Sequence, residues 1–412
     1  MAFSNGPRIA IYSSVGGFGL GHLRRNTLIG KHLLDEMPKS KILLFADLPM
    51  APFFQLPEGM DHIKLPSIKK VPSKTWQPTH LHIRTRDLQR IRAELLRNAL
   101  QNYQPDLFLV DHLPHGSQGE LIPALQMLKQ LFPRCSLVLG LRDILDAQEV
   151  IMRVWQTEGA YDALRNYYDC LLIYGSREIF ETDQIYRLSA PLKGTHYCGY
   201  VAKQMSLQPN GYAHHYRASG QKFVFVSAGG GADGTSLMRN YIRAVRLLRR
   251  RAEFHTLMAL GANSPPSLRE KLVAKVEQKG LAIEIVPYVH DSLSVIAAAD
   301  LVVCMGGYNT LAEVLHLKKK ALVVPRSGPS AEQRIRSGLF AERGLIDVLI
   351  PEEATPENLA QRLITDLERE DYPSSDMNFD TTGGLQAAMR LTELINSRVK
   401  TVRSVKKVYA TV

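Results

Sequence analysis

The chain has 412 residues, long enough for two domains of ordinary size, and its 45% hydrophobic and 22% charged composition is that of a soluble globular protein. No apolar run is long enough to span a bilayer; the longest candidate, residues 295–305, is interrupted by Asp300. The formal charge of +11 leaves nucleic acid, anionic lipid and phosphorylated ligands open as partners.

The opening residues are polar and lead directly into a strand at 8–13, so no secretory leader is expected. The loop Gly16-Gly17-Phe18-Gly19-Leu20-Gly21-His22 follows, and then a helix through Leu34. The loop is not a P-loop, because His22 and Leu23 stand where Lys and Ser or Thr would be. Read from Gly17, it lacks the last glycine of a dinucleotide fingerprint, although Asp47 after the strand 41–46 keeps that reading open. His22 stands at a helix start, where the positive end of the dipole favours a neutral imidazole. Such a group can take a proton from an attacking hydroxyl; a capping or packing histidine is the plain alternative.

Basic residues gather from Lys64 through Lys69, Lys70 and Lys74 to Arg84, Arg86, Arg90 and Arg92, with Trp76 among them. They lack the aromatic spacing of a nucleic-acid module, so no nucleic-acid partner is expected. A helix is read over 88–102, a strand over 106–110, a helix over 121–131 and a strand over 136–141. Asp111-His112 and Arg142-Asp143 therefore stand at the carboxyl ends of strands, where either pair can line an acceptor site. His112 and His115 have no third ligand at convincing spacing, so no metal is expected. Strands over 170–174 and 195–198 close the first half, and the polar run 204–221, with Pro209, Gly211 and Gly220, reads as a linker.

The pattern restarts with strands at 222–227, 254–259, 282–286, 301–304, 321–325 and 348–350. After the first comes Gly229-Gly230-Gly231, three glycines whose amides can form an anion nest or simply a flexible turn. After the fourth comes Met305-Gly306-Gly307-Tyr308-Asn309-Thr310-Leu311-Ala312-Glu313. The paired glycines let backbone approach a ligand, and Asn309 and Thr310 are expected to cap a helix starting at Leu311. That N-terminus favours a phosphate, with Glu313 in the first turn reaching a sugar hydroxyl. A tight strand-to-helix turn favours the same residue types for packing alone. After the fifth strand, Arg326 can neutralise phosphate, and Glu332-Gln333 at a helix start can bind sugar hydroxyls. A helix over 384–397 and a basic tail end the chain. Cys135, Cys170, Cys198 and Cys304 adjoin apolar runs without a Cys-x-x-Cys pair, as reduced cytosolic thiols do.

Alternating strands and helices predict an α/β chain of two Rossmann-like domains facing a central cleft. The domains are expected at 1–205 and 222–383, with a linker at 206–221 and a closing helix and basic tail at 384–412. Gly17, Gly19, Gly21, Arg142 and Asp143 would line the acceptor side.

Together these residues resemble the two-domain GT-B glycosyltransferases. The likeness covers most of the chain and is most specific over Gly306–Glu313, Pro325 and Glu332-Gln333, with the loop ending at His22. Within that fold the chain is similar to the family of the bacterial peptidoglycan N-acetylglucosaminyltransferase and the plant galactolipid synthases, and it looks like a bacterial branch of predicted glycosyltransferases. The resemblance implies that Gly306, Gly307, Asn309 and Thr310 lie near the donor diphosphate. Glu313 would bind ribose, Glu332 and Gln333 the donor sugar, and the turn holding Val289 the base. His22, or else Asp111, would deprotonate the acceptor. It further implies a nucleoside diphosphate sugar, most simply a UDP-sugar, as co-substrate, inversion at the anomeric carbon, and no obligatory cofactor or metal. The acceptor stays open among carbohydrates, lipid-linked sugars and small molecules, and peripheral contact with the inner membrane face is compatible with the basic segments. The rival readings are a nucleotide-sugar epimerase or hydrolase of the same fold, a non-catalytic nucleotide-binding protein, and an NAD enzyme.

Overall fold

The computed structural model describes residues 6–13, 20–48, 56–70, 76–189, 191, 193–204, 221–231, 233–249, 253–373 and 379–409. Contacts group Met1–Val201 with Thr382–Val412 as one unit and Ala202–Thr381 as a second.

The first unit carries β1 (Arg8–Ser13), β2 (Lys41–Ala46), β3 (Met60–Lys64), β4 (Ile68–Lys70), β5 (Trp76–Pro78), β6 (Leu107–Asp111), β7 (Ser136–Arg142), β8 (Cys170–Tyr174) and β9 (Thr195–Tyr197). Seven of these form a sheet in the order β3-β2-β1-β6-β7-β8-β9, and every pairing in it is parallel. Parallel strands are buried on both faces, which is why β1, β6 and β8 read as unbroken apolar runs. The order reverses between β1 and β6, and a crevice opens at such a switch point, beyond the carboxyl ends of the strands. The helix Leu20–Glu36 follows β1 and buries Leu23, Ile29 and Leu33; Asn26 Nδ2 donates to Ser13 Oγ at 2.9 Å and ties it to the strand. The helix Gly383–Tyr409 packs on it. Gly383 is required there, since a Cβ would stand 2.3 Å from the Gly199 carbonyl.

Three strands here were not read in the sequence. β3 is an edge strand with Asp61, His62 and Lys64, so it lacks the apolar signal of a buried one. β4 and β5 form a separate antiparallel pair. The strand expected over 106–110 runs one residue later, making Asp111 its last paired residue, opposite Gly140. Arg92 is no part of a basic surface: it is fully buried, with Nε 2.5 Å and Nη2 2.7 Å from the Glu120 carboxylate and Nη1 3.9 Å from Asp47. Asp47, 1% exposed, is thereby within ion-pair reach of Arg92.

The second unit carries β10 (Lys222–Ser227), β11 (Phe254–Ala259), β12 (Ile283–Val286), β13 (Leu301–Cys304), β14 (Ala321–Val323) and β15 (Asp347–Val348), a parallel sheet in the order β12-β11-β10-β13-β14-β15. Its switch point lies between β10 and β13, the two strands that lead into the glycine loops at 229–231 and 306–307. The helices Thr235–Leu248 and Pro356–Glu368 cover one face through Leu237, Tyr241, Leu359 and Leu363. Burying each such side chain contributes roughly 2 kcal/mol. All four cysteines are buried and none is joined in a disulfide. No helix among the described residues is long and apolar enough to cross a membrane.

Candidate active site

In the first unit the sheet's switch point brings together residues far apart in sequence. His22 lies in the first turn of its helix, and its Nδ1 is 2.7 Å from Asp111 Oδ2. Arg25, one turn on, sends Nη2 to Asp111 Oδ1 at 2.7 Å and Oδ2 at 2.9 Å, and its guanidinium lies 5.2 Å from the centre of the Tyr174 ring. Asp111 is fully buried and the His22 side chain is 13% exposed. Burial alone would raise Asp111, but Arg25 and then His22 outweigh it and hold the carboxyl well below its usual range. For His22 burial is the larger influence and pulls the imidazole from 6.5 down to about 4, against the upward pull of Asp111.

These facts fix the tautomer. Asp111 is a carboxylate and can only accept, so His22 Nδ1 carries the proton and donates it. Arg25 Nη2 also lies 2.9 Å from Nδ1, but a lone pair on Nδ1 would face the Asp111 carboxylate at 2.7 Å, which favours the protonated Nδ1. Nε2 is left as a lone pair. The Asp111 carboxylate is thereby occupied as the orienting group of the imidazole, which argues against the alternative that Asp111 itself takes the acceptor proton.

His112, the next residue, packs its ring 5.1 Å from that of His22 at 54°. Arg142 ends β7 opposite Tyr174, half-buried, and its charge lowers both histidines. Asp143 is fully buried, and its main-chain carbonyl accepts from the Thr182 hydroxyl at 2.6 Å. Gly21 lies in the helix beside His22. Gly17 and Gly19 lie outside the described residues.

In the second unit the helix after β13 runs Tyr308–His316, three residues earlier than expected. Its N-cap is Gly307, in extended conformation and with no side-chain cap. Asn309 and Thr310 are therefore first-turn residues, not caps: extended Gly307 already takes the N-cap position, so the helix starts before the side chains that usually cap one. Gly306 has φ of 76°, and a Cβ there would meet Ser337 Oγ at 2.6 Å and Val323 Cγ1 at 3.0 Å; its smallness serves packing. Gly307 has nothing within 4 Å of such a Cβ and presents open backbone. First-turn amides without a side-chain cap are donors for an anion. Glu313 stands in the second turn, 2% exposed, and Ser292 Oγ donates to its Oε2 at 3.0 Å.

The loop Gly229–Gly231 is less of a nest than expected. Gly229 N–H goes to Ser227 Oγ at 3.2 Å and Gly231 N–H to the Ala228 carbonyl at 3.2 Å. Gly231 is wedged against the Leu260 carbonyl, 2.4 Å from where a Cβ would be. The Gly230 amide is left as the candidate for the role expected of all three. Val289 is half-buried in the turn after β12, whose Pro287 carbonyl accepts from Gly261 N–H at 2.8 Å.

Glu332 begins the helix Glu332–Ala341, as expected, but it is 5% exposed and already paired. Arg336 Nη1 lies 3.2 Å from its Oε1, and Arg326 Nη2 3.9 Å from its Oε2. Arg326 also faces Asp233 at 3.5 Å, so its charge is shared with two carboxylates rather than held for phosphate alone. Gln333 Oε1 accepts the Arg326 N–H at 3.0 Å. Arg336, fully buried with its guanidinium 5.4 Å from the Tyr308 ring centre, joins this helix to the Gly306 loop and was not singled out in the sequence. A pocket of about 390 Å³ opens beside Arg326, lined by Asp233, Ser236, Met305, Ser327 and Glu352. Among the described residues, no group of three or more His, Cys, Asp or Glu is gathered as a metal site.

Residues 224–391 match the glycosyltransferase family 28 C-terminal domain. A stretch of 152 residues is 31% identical to the UDP-N-acetylglucosamine--N-acetylmuramyl-(pentapeptide) pyrophosphoryl-undecaprenol N-acetylglucosamine transferase of Paraburkholderia xenovorans, covering 37% of this chain and 41% of that protein. The chain thus spans about two fifths of the length of that curated relative. The structure is similar to Acinetobacter baumannii MurG, with a TM-score of 0.56 at 13% identity over 95% of this chain and 99% of that one. It is also similar to a putative UDP-N-acetylglucosamine 2-epimerase from Listeria monocytogenes, with a TM-score of 0.64 at 14% identity over 96% and 97%. The chain has the two Rossmann-like domains of the GT-B fold, and its second half is related to the C-terminal domain of glycosyltransferase family 28.

Proposed function

We propose that the protein is a glycosyltransferase that moves a sugar from a nucleoside diphosphate sugar, in the simplest case a UDP-sugar, to an acceptor hydroxyl, with inversion and without an obligatory metal. One observation carries the reading: a neutral imidazole, His22, oriented by a buried carboxylate in a chain whose other unit matches a glycosyltransferase C-terminal domain. His22 Nε2 takes the acceptor proton as the acceptor oxygen bonds to the anomeric carbon. The bond from that carbon to the donor phosphate breaks, and the nucleoside diphosphate leaves with the electron pair. Asp111 stabilises the imidazolium so formed. The first-turn amides of Tyr308–His316 and the Gly230 amide meet the leaving diphosphate. Glu313 accepts from ribose hydroxyls, and Glu332 with Gln333 from the transferred sugar.

Peripheral attachment to an anionic membrane belongs to the same proposal. Leu81, Ile83, Ile91 and Leu95 are 39–49% exposed beside exposed Arg84, Arg86 and Arg90, the mixture that binds a lipid surface. Sedimentation with anionic but not neutral vesicles is the expected result.

The test of the central reading is calorimetry with UDP, GDP, TDP, ADP and NAD, repeated on Glu313→Ala, followed by product analysis with UDP-sugars. Selective UDP binding lost in the variant, with acceptor-dependent release of UDP, is expected. Conversion of the donor alone to an epimer or free sugar overturns the transferase reading, as does binding of NAD alone.

A further inference from the structure

The residue after Asp111 has no role in the scheme above, yet the fold holds it at some cost. His112 has φ of 72°, a left-handed conformation that side chains other than glycine adopt only under constraint. The constraint is visible. His112 N–H donates to the Gly140 carbonyl at 2.8 Å, Tyr168 OH donates to the Pro114 carbonyl at 2.6 Å, and Ser117 N–H donates to Tyr12 OH at 3.2 Å. The loop after β6 is pinned on three sides, and the outcome is a second imidazole beside the first.

The two rings have opposite polarity. His22 carries its proton on Nδ1, bound to Asp111, which leaves a lone pair on Nε2. His112 Nδ1 is closed to solvent and has no hydrogen-bond partner. A buried lone pair without a partner is tolerated more readily than a buried N–H without one. The proton of His112 therefore sits on Nε2. Burial, with His22 and Arg142 next, also disfavours the charged ring, so a neutral imidazole remains.

We propose that His112 is a second acceptor-contacting residue, donating Nε2–H to one oxygen of the acceptor while His22 Nε2 receives the proton of the neighbouring oxygen, so that the acceptor is a sugar or another polyol with adjacent oxygens. Two hydrogen bonds of about 2.8 Å from vicinal oxygens span rings whose centres are 5.1 Å apart. A lone hydroxyl on an apolar molecule engages His22 and leaves the His112 donor unused. The inference rests on the transferase reading for its chemistry, but its geometry is testable without turnover.

The experiment is long-range ¹H–¹⁵N correlation on histidine-labelled protein at neutral pH, with signals assigned through His22→Gln and His112→Gln. The expected spectra show a protonated Nδ1 on His22 and a protonated Nε2 on His112. The same tautomer on both, or a charged His112, overturns the proposal. Methyl α-D-glucopyranoside is then the probe, with cyclohexanol as the control. Both histidines should shift with the glycoside and only His22 with cyclohexanol. His112→Met should weaken glycoside binding at least tenfold, and His112→Gln, which keeps a donor and the same backbone demand, should restore most of it. Equal binding by wild type and His112→Met, or no glycoside binding, also overturns it. Glycoside binding that behaves as expected, without transfer from any nucleoside diphosphate sugar, removes the transferase reading and leaves the polyol site standing.

Discussion

Arg25 and Asp111 stand 86 positions apart in the chain and meet at 2.7 Å, with neither more than 2% exposed. The guanidinium is what lets a fully buried carboxylate stay ionised, and the ionised carboxylate is what orients His22. Arg25→Met breaks that order. It strands the Asp111 charge with His22 as its remaining partner, at a cost of about 3–5 kcal/mol. It also takes away a cation that lowers both groups, so both titrate higher. With His22 as the base, the acid limb of the kcat/KM profile is expected near pH 4 in the wild type and should move up by a unit or more in the variant. A pH–rate profile with a denaturant melt checks both parts; an unmoved acid limb would show that Arg25 does not tune the histidine.

Asp111→Asn tests the orienting role from the other side. The amide is isosteric but uncharged, and it can offer His22 Nδ1 a donor as readily as an acceptor. The tautomer is no longer fixed and the imidazolium loses its counter-charge. The expected loss in kcat/KM is about 10²–10⁴-fold, with donor affinity by calorimetry unchanged because the residues proposed to hold the donor belong to the other unit. A loss confined to donor binding would contradict the assignment.

The core of the fold was legible because parallel strands covered on both faces advertise themselves as apolar runs. β1, β2, β8, β10, β11 and β13 begin and end where the hydrophobic pattern does. β3 was not legible, since an edge strand carrying Asp61, His62 and Lys64 has no such pattern. His22 was legible as a polar residue at a helix start and Asp111 as one at a strand end, but their bond was not, because nothing local says which two loops a sheet's switch point will bring together. Arg25 had a faint signal, three residues after His22 on one helix face. The buried pairings of Arg92 and Arg336 had none: an arginine paired in the core reads in sequence as one more surface charge. The start of Tyr308–His316 was misplaced because cap preference was read from side chains, whereas the structure caps with the backbone of Gly307.

The two glycines of that loop should respond differently to the same change. Gly306→Ala demands a Cβ at 2.6 Å from Ser337 Oγ in a left-handed conformation, and should cost about 2–3 kcal/mol of stability. Gly307→Ala meets open space at φ of −64° and should leave stability within about 0.5 kcal/mol. If the amides beyond Gly307 hold the donor diphosphate, the second variant should nonetheless weaken UDP binding, because the new methyl stands where the phosphate approaches. Thermal melts with UDP calorimetry separate the two effects; unchanged UDP affinity in Gly307→Ala would remove the diphosphate from that helix end.

The two units should lose stability at opposite ends of the pH scale. In the first, His22 is lowered from 6.5 to about 4, so the unfolded chain binds the proton more readily; its contribution is complete above pH 6.5 and fades as pH falls toward 4. In the second, Asp366 is fully buried on the helix Pro356–Glu368, and no N–H or hydroxyl among the described residues reaches either of its oxygens. Burial first, then the Asp347 carboxylate, raises it to about 7. Here the folded state binds the proton more readily. Its contribution is complete below the unfolded value of 3.8 and is lost as pH rises through about 7. Asp366→Asn replaces the protonated carboxyl with a neutral group of the same shape. It should stabilise the second unit by on the order of 3 kcal/mol at pH 8, with the gain shrinking toward pH 4. Hydrogen exchange read by peptide distinguishes the units: amides of β14, β15 and the helix Pro356–Glu368 should slow in the variant at pH 8, while those of β1 and β6 should not change. Equal protection of wild type and variant at pH 8 would mean that Asp366 is ionised and satisfied in the fold, and that the Asp347 pair stores no alkaline sensitivity.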